Sequence, residues 1–203
     1  MCGRYMLSEI AWIDYFQALS ILPSNAPFEA RFNVCPTQTM PILRDEDGLR
    51  ESPGTWGLRP HWNPKGLLIN ARLETAATAR TFKEAYRARR CLVPATGWWE
   101  WTGERPKTPW AITRPEPFFF AGLWFPTDDP APAYVIVTRA AAPDIAHVHA
   151  RMPVIAGPEW LAAPPDDPAG YGAAPGGLSA HAVAPFGIRD EGPALLEPPR
   201  TLL

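Results

Sequence analysis

The sequence predicts an α+β fold in a single domain over residues 1–203, built on a mostly antiparallel, barrel-like sheet with a few flanking helices. Three observations point there. Alternating or β-branched runs outnumber helical patterns, and neither a regular strand-helix-strand alternation nor an internal repeat is visible. The 26 prolines against 15 glycines favour stiff loops over long helices. At 203 residues, 46% of them hydrophobic and 20% charged, the chain can bury a core without staples.

In chain order, GRYML is a short strand, and Ser8 is placed to cap a helix over EIAWIDYFQAL, where Ile10, Ile13 and Phe16 recur at helical spacing. NAPFEARFNVCPTQT is expected as a proline-studded loop. A strand follows around MPILRD, then a turn at Glu46, Asp47 and Gly48 and a return strand. TWGLRPHWNPKG is turn-rich, LLIN is a short apolar strand, and the Ala, Glu and Arg content of ETAATARTFKEAYRARR predicts a second helix. CLVPATGWWEW and WAITRPEPFFFAGLWFP alternate and should pair through the TGERPK turn, with YVIVTRA as a central strand. MPVIAG leads into a short helix, PEWLAAP, with Pro158 in its first turn. PPDDPAGYGAAPGG is a loop, and SAHAVAPFGI adds at most one strand.

The three cysteines, Cys2, Cys35 and Cys91, are odd in number, widely spaced and without a CxxC pair, which argues against a disulfide framework. No run approaches the ~18 apolar residues of a membrane span, so a reducing cytosol is expected and no membrane partner. A net charge of −2 excludes a generally basic nucleic-acid coat. Residues 59–90 nevertheless carry eight basic side chains against two acidic, a local balance of +6 on a body that sums to −8. Such a segment can track phosphates, or it can be a solvated helix face.

The second residue raises a chemical question. If Met1 is trimmed, Cys2 becomes an amino terminus carrying its own thiol. An α-amine has a pKa of ~7.8 against ~10.4 for lysine, so the neutral nucleophile is about 3.5 kcal/mol easier to reach at pH 7. That amine can attack an aldehyde to form a Schiff base. The adjacent thiol can then close a five-membered thiazolidine. An aldehyde of this kind occurs in nucleic acid as the ring-opened form of an abasic site.

Such chemistry needs an acid, a second proton carrier and fixed hydrogen bonds. In GWWEW, strand alternation puts Trp98 and Glu100 on one side and Trp99 and Trp101 on the other. A carboxylate among indoles loses solvation and its pKa rises, which suits Glu100 to acid work, although an edge-strand charge facing solvent is the plain alternative. HVHARMP places His147 and His149 after the central strand, where an imidazole can move protons. LLINARLETA supplies Asn70, able to orient a terminus or cap a turn, and Arg72, able to hold phosphate. The cysteines and the His147/His149 pair are zinc-ligand types, but they lack paired ligand spacing, so no metal and no cofactor is expected.

MCGRY, RFNVCP, WGLRP, INARLETA, GWWEW and HARMP, in this order, resemble the SOS-response-associated peptidase family, also called the abasic-site-processing domain. The resemblance runs from Met1 to about Pro153, and RDEGPALLEP is similar to the family's closing segment. It implies a β-rich fold with a deep DNA groove and a covalent crosslink to abasic sites in single-stranded DNA through the mature N-terminal cysteine. On that resemblance Cys2 is the nucleophile, Asn70 holds the terminus and the opened sugar, Glu100 is the acid/base of imine formation, and His149 assists ring opening and reversal. DNA contacts fall on Gly3, Arg4, Asn33, Arg72, Arg80 and Arg151, with Trp62 stacking on or wedging beside a base. Cys35 stands where the family pattern has alanine, the APFGIRDEG tail departs from that pattern, and one tryptophan occupies the turn at His61, Trp62 and Asn63, where relatives can have two.

The leading expectation is therefore a monomer of the cytoplasm, associated with the nucleoid when on DNA, that captures abasic single strands. One alternative is a cysteine peptidase using Cys2 and His149. Another is a non-covalent single-strand binder working through the basic segment and Trp62, with steep salt dependence.

Overall fold

The computed structural model describes residues 2–8, 29–103, 106–164 and 176–199. Eleven strands run through it: β1 (Arg4–Leu7), β2 (Arg31–Val34), β3 (Thr39–Asp45), β4 (Leu49–Trp56), β5 (Asn70–Arg72), β6 (Arg90–Thr102), β7 (Thr108–Phe125), β8 (Ala133–Ala140), β9 (Arg151–Pro153), β10 (Ile155–Ala156) and β11 (Ser179–Ala182). Three short helices, α1 (Leu73–Ala76), α2 (Lys83–Ala88) and α3 (Glu159–Ala162), and a 3-10 turn at Pro193–Leu196 complete it. No helix among the described residues is long and apolar enough to cross a membrane.

The pairings close on themselves through β6, β7, β8, β4 and β3, a ring of hydrogen-bonded strands. Pairing is antiparallel except where β4 and β5 each run parallel to β8. The mainly antiparallel α+β sheet is thus present, and β8 is central as expected, touching β7, β4, β5 and β9. The β6/β7 hairpin matches the alternation of its sequence. The β3/β4 turn takes Asp47 to φ +56° and Gly48 to φ +109°, the left-handed region that Gly adopts freely and Asp tolerates.

Three expectations shift. RFNV is not loop: β2 pairs with β1 across Tyr5↔Val34, a long-range partner that supplies the hydrogen bonds four residues could not make alone. The apolar strand expected at LLIN begins at its last residue, and β5 aligns Asn70 with Ile136 and Arg72 with Thr138. The predicted second helix splits into α1 and α2, with Thr78 and Ala79 N–H folding back on the Thr75 carbonyl between them. The first predicted helix lies outside the described residues.

Successive side chains of β6 face two cores. Trp98 packs in the main cluster with Cys2, Tyr5, Trp56, Phe120 and Tyr134, whereas Trp99 joins Met6, Ala111 and Val183. Tyr5 meets Trp56 and Phe120 edge-on at 5.3 and 5.9 Å, and its hydroxyl shares a hydrogen bond with the Tyr134 hydroxyl at 2.9 Å. Such aromatic contacts add about 0.5–1.5 kcal/mol each beyond buried area, which stiffens the floor beneath Cys2. Gly97 allows a close approach of strands. A Cβ there would lie 2.7 Å from the Ile112 carbonyl oxygen and 2.9 Å from the Thr113 side chain, so a bare Cα lets β7 lie this close to β6 in the register Gly97↔Thr113.

Candidate functional site

Cys2 precedes β1 and is fully buried in the main core. The Asn70 amide, at the first position of β5, donates to the Cys2 carbonyl at 2.8 Å. The Cys2 thiol contacts the Arg4 carbonyl at 3.7 Å. Burial pushes this thiol well up from its ordinary pKa, and the charge of Glu100 pushes in the same direction. The Asn70 Oδ1 is buried and has no hydrogen-bond partner among the described residues, which leaves one acceptor available beside the chain start.

Glu100 sits on β6 with 3% of its surface exposed. Desolvation raises its pKa, and the nearby His149 charge works against that rise. His149 lies just before β9, with Nδ1 4.0 Å from Glu100 Oε1. His149 Nδ1 lies 3.0 Å from both the N–H and the carbonyl oxygen of Arg151, so the backbone of that one residue holds the ring. A buried carboxyl and a half-buried imidazole therefore stand together, beside a cysteine whose backbone is held in place. The arrangement can donate and recover protons next to a nucleophile.

The predicted DNA-contact residues fall into separate places. Gly3 and Arg4 line an open recess of about 380 Å³ with Trp101 and Lys107. The Arg4 guanidinium lies 4.9 Å over the Trp101 ring and 5.3 Å from Phe186, and it donates to the Gly187 carbonyl at 3.2 Å. Asn33 is buried, and its amide donates to the carbonyls of Gly187, Ile188 and Asp190 at 3.0, 3.3 and 2.8 Å, clamping the tail. The Glu191 carboxylate accepts from the Phe32 and Asn33 backbone N–H groups of the same edge.

Trp62, 65% exposed, and Arg80 line a cleft of about 670 Å³ with Arg59, His61 and Phe125. Arg72 is exposed at the end of β5. Arg151 forks onto Glu74. Of the basic stretch 59–90, Arg90 is buried on the carbonyls of Tyr86, Trp160 and Ala163 at 2.7, 3.0 and 2.8 Å, and Arg89 pairs with Glu84 at 3.0 Å. The remaining six are exposed, so the local positive field is weaker than the raw count.

Cys35 is buried, with its thiol 3.4 Å from the Asn33 carbonyl. His147 stands edge-on to Trp110 at 5.5 Å. Among the described residues no group of three or more His, Cys, Asp or Glu could hold a metal ion. Glu74 and Thr138 were not singled out in the sequence, and no local pattern marks them, since each meets Arg151 across a gap in chain position.

The SOS response associated peptidase (SRAP) family model matches residues 1–169. The chain is 36% identical to the abasic site processing protein YedK of Escherichia coli, over 78% of this chain and 77% of that protein. It is 33% identical to the abasic site processing protein YoqW of Bacillus subtilis, over 83% of each. Among solved structures, a phage-related protein of Bordetella bronchiseptica is similar with a TM-score of 0.71 at 28% identity, covering 90% of this chain and 94% of that one. A protein of Bacteroides thetaiotaomicron reaches a TM-score of 0.77 over 97% and 99% of the two chains, and at 20% identity that likeness bears on the fold alone.

Proposed function

The chain belongs to the SOS response associated peptidase family, and on that premise we propose that it processes abasic sites in single-stranded DNA by capturing them covalently on Cys2. The observation that carries the proposal is the buried Cys2 held through its carbonyl by Asn70, with the thiol under the charge of Glu100, itself 4.0 Å from His149. Trimming of Met1 frees an α-amine of which roughly one in seven is neutral at pH 7.

The amine nitrogen adds to C1′ of the ring-opened sugar and forms a carbinolamine. Glu100, whose carboxyl pKa burial raises, serves as the acid and gives a proton to the carbinolamine hydroxyl, which leaves as water. The thiol sulfur then bonds to the imine carbon, and its proton returns to the Glu100 carboxylate. Amine, thiol and aldehyde become a thiazolidine and one water. His149 takes the hemiacetal proton and returns one to the ring oxygen, opening the sugar. The exposed cations of residues 59–90 hold phosphates, and Trp62 stacks on a base.

A peptidase reading needs a thiol with a lowered pKa. Burial, with the Glu100 charge, raises it on Cys2 instead, against that requirement. The test is a denaturing gel of purified protein with abasic and with intact single strands. The wild type should give a denaturation-resistant adduct with the abasic strand alone. Cys2→Ala should give none, while its remaining amine still yields an imine that borohydride can trap. Full adduct yield from Cys2→Ala rejects the linkage. Reversible complexes from the wild type would leave a non-covalent binder.

A further inference from the structure

Asn70 and Glu74 sit four residues apart on one segment, β5 running directly into α1, and each grips a different side of the site. Asn70 holds Cys2. Glu74 holds Arg151: its carboxylate oxygens accept from Nη1 at 2.7 Å and Nη2 at 3.0 Å, a two-pronged geometry. Nη2 also donates to the Thr138 carbonyl at 2.6 Å. Thr138 is fully buried and sits in register with both Arg72 of β5 and Pro153 of β9. The guanidinium is thus tied to the sheet frame and to α1 at once. The backbone of the same Arg151 holds the Nδ1 of His149.

We infer, on the capture reading above, that Glu74 is a positioning residue for His149. By locking the Arg151 side chain it fixes the backbone of residues 149–151, so that the Arg151 N–H and carbonyl stay on Nδ1 and hold the ring in one tautomer, with Nδ1 facing Glu100 at 4.0 Å. A surface ion pair ordinarily contributes little. This one is two-pronged, shares its cation with a buried carbonyl and leaves the Arg151 side chain only 19% exposed against 50% for Glu74. The hydrogen bond from Arg151 holds the Glu74 carboxyl below its ordinary range, so the pair stays ionic at neutral pH. With these donors committed, the guanidinium orients the imidazole.

The test uses the full chain labelled with ¹⁵N-histidine, with Glu74→Ala, Glu74→Gln and Glu74→Asp, and His149→Asn to assign the resonance. In the wild type the ring nitrogens of His149 should report a single tautomer. In Glu74→Ala the two tautomers should mix, and adduct formation with an abasic single strand should slow about tenfold, inside the ~100-fold that a 1 Å misplacement can cost. Binding of an intact strand should not weaken, and Glu74→Asp should recover part of the rate. A His149 tautomer unchanged in Glu74→Ala overturns the inference whatever the rates do. Should that variant not fold, Glu74→Gln, which keeps one acceptor for the guanidinium, decides by the same shifts. If the wild type itself forms no adduct, the capture reading fails and the nitrogen shifts alone judge Glu74.

Discussion

Replacing Asn70 separates the hydrogen bond that holds the chain start from the rest of the site. Asn70→Ala deletes the 2.8 Å donation to the Cys2 carbonyl. A neutral hydrogen bond contributes about 1 kcal/mol net, and at 1.36 kcal/mol per tenfold its loss slows capture roughly fivefold if the bond orients the nucleophile. Asn70→Asp preserves shape but turns the donor into an acceptor facing an acceptor, and a carboxylate near the freed amine holds it as ammonium. The loss then becomes about 2–3 kcal/mol, roughly 30- to 150-fold. Single-turnover adduct formation on denaturing gels, with thermal unfolding run in parallel, separates chemistry from stability. Wild-type rates in Asn70→Ala, or an Asn70→Asp variant faster than Asn70→Ala, would refute the reasoning.

Other outcomes follow from the same geometry. Burial raises the native pKa of Glu100, so the folded state binds more protons than the unfolded state between the ordinary carboxylate value and the raised one. Wild-type stability should therefore fall as pH rises through that window, and Glu100→Gln should remove this slope and be the more stable above it; superposable denaturation profiles contradict a buried carboxylate. Arg90→Met strands three carbonyls now held within 3.0 Å and should destabilise by about 3 kcal/mol, a fall of ~6–12 °C in Tm. A wild-type Tm in that variant would show the carbonyls satisfied without it. Trp62→Ala should leave Tm unchanged, since the ring is exposed, and weaken intact single-strand binding by the ~1–3 kcal/mol of one stacked base; an unchanged Kd removes Trp62 from the interface.

What the sequence reveals depends on how local each interaction is. The β6/β7 hairpin and the β3/β4 turn were legible because alternation and turn residues act within a few positions. RFNV was not, because its strand exists only by pairing with β1. The long helical pattern of residues 74–90 was interrupted between α1 and α2, where the Thr78 and Ala79 N–H groups both fold back on the Thr75 carbonyl. At the site, Glu100 could be read as a desolvated carboxyl from its tryptophan neighbours. The bond of Asn70 to Cys2 spans 68 positions and the fork of Glu74 on Arg151 spans 77, so neither partner could be found by spacing. The amide of Asn33 shows the same limit, because the tail it clamps lies more than 150 positions away.

Mass spectrometry of the protease-digested adduct between wild-type protein and an abasic single strand addresses the central claim most directly. The account predicts that the modified peptide begins at Cys2 with Met1 gone, carries the sugar with the loss of one water, and survives denaturation without borohydride. A sugar found on a lysine, or on a peptide that still begins with Met1, would contradict it.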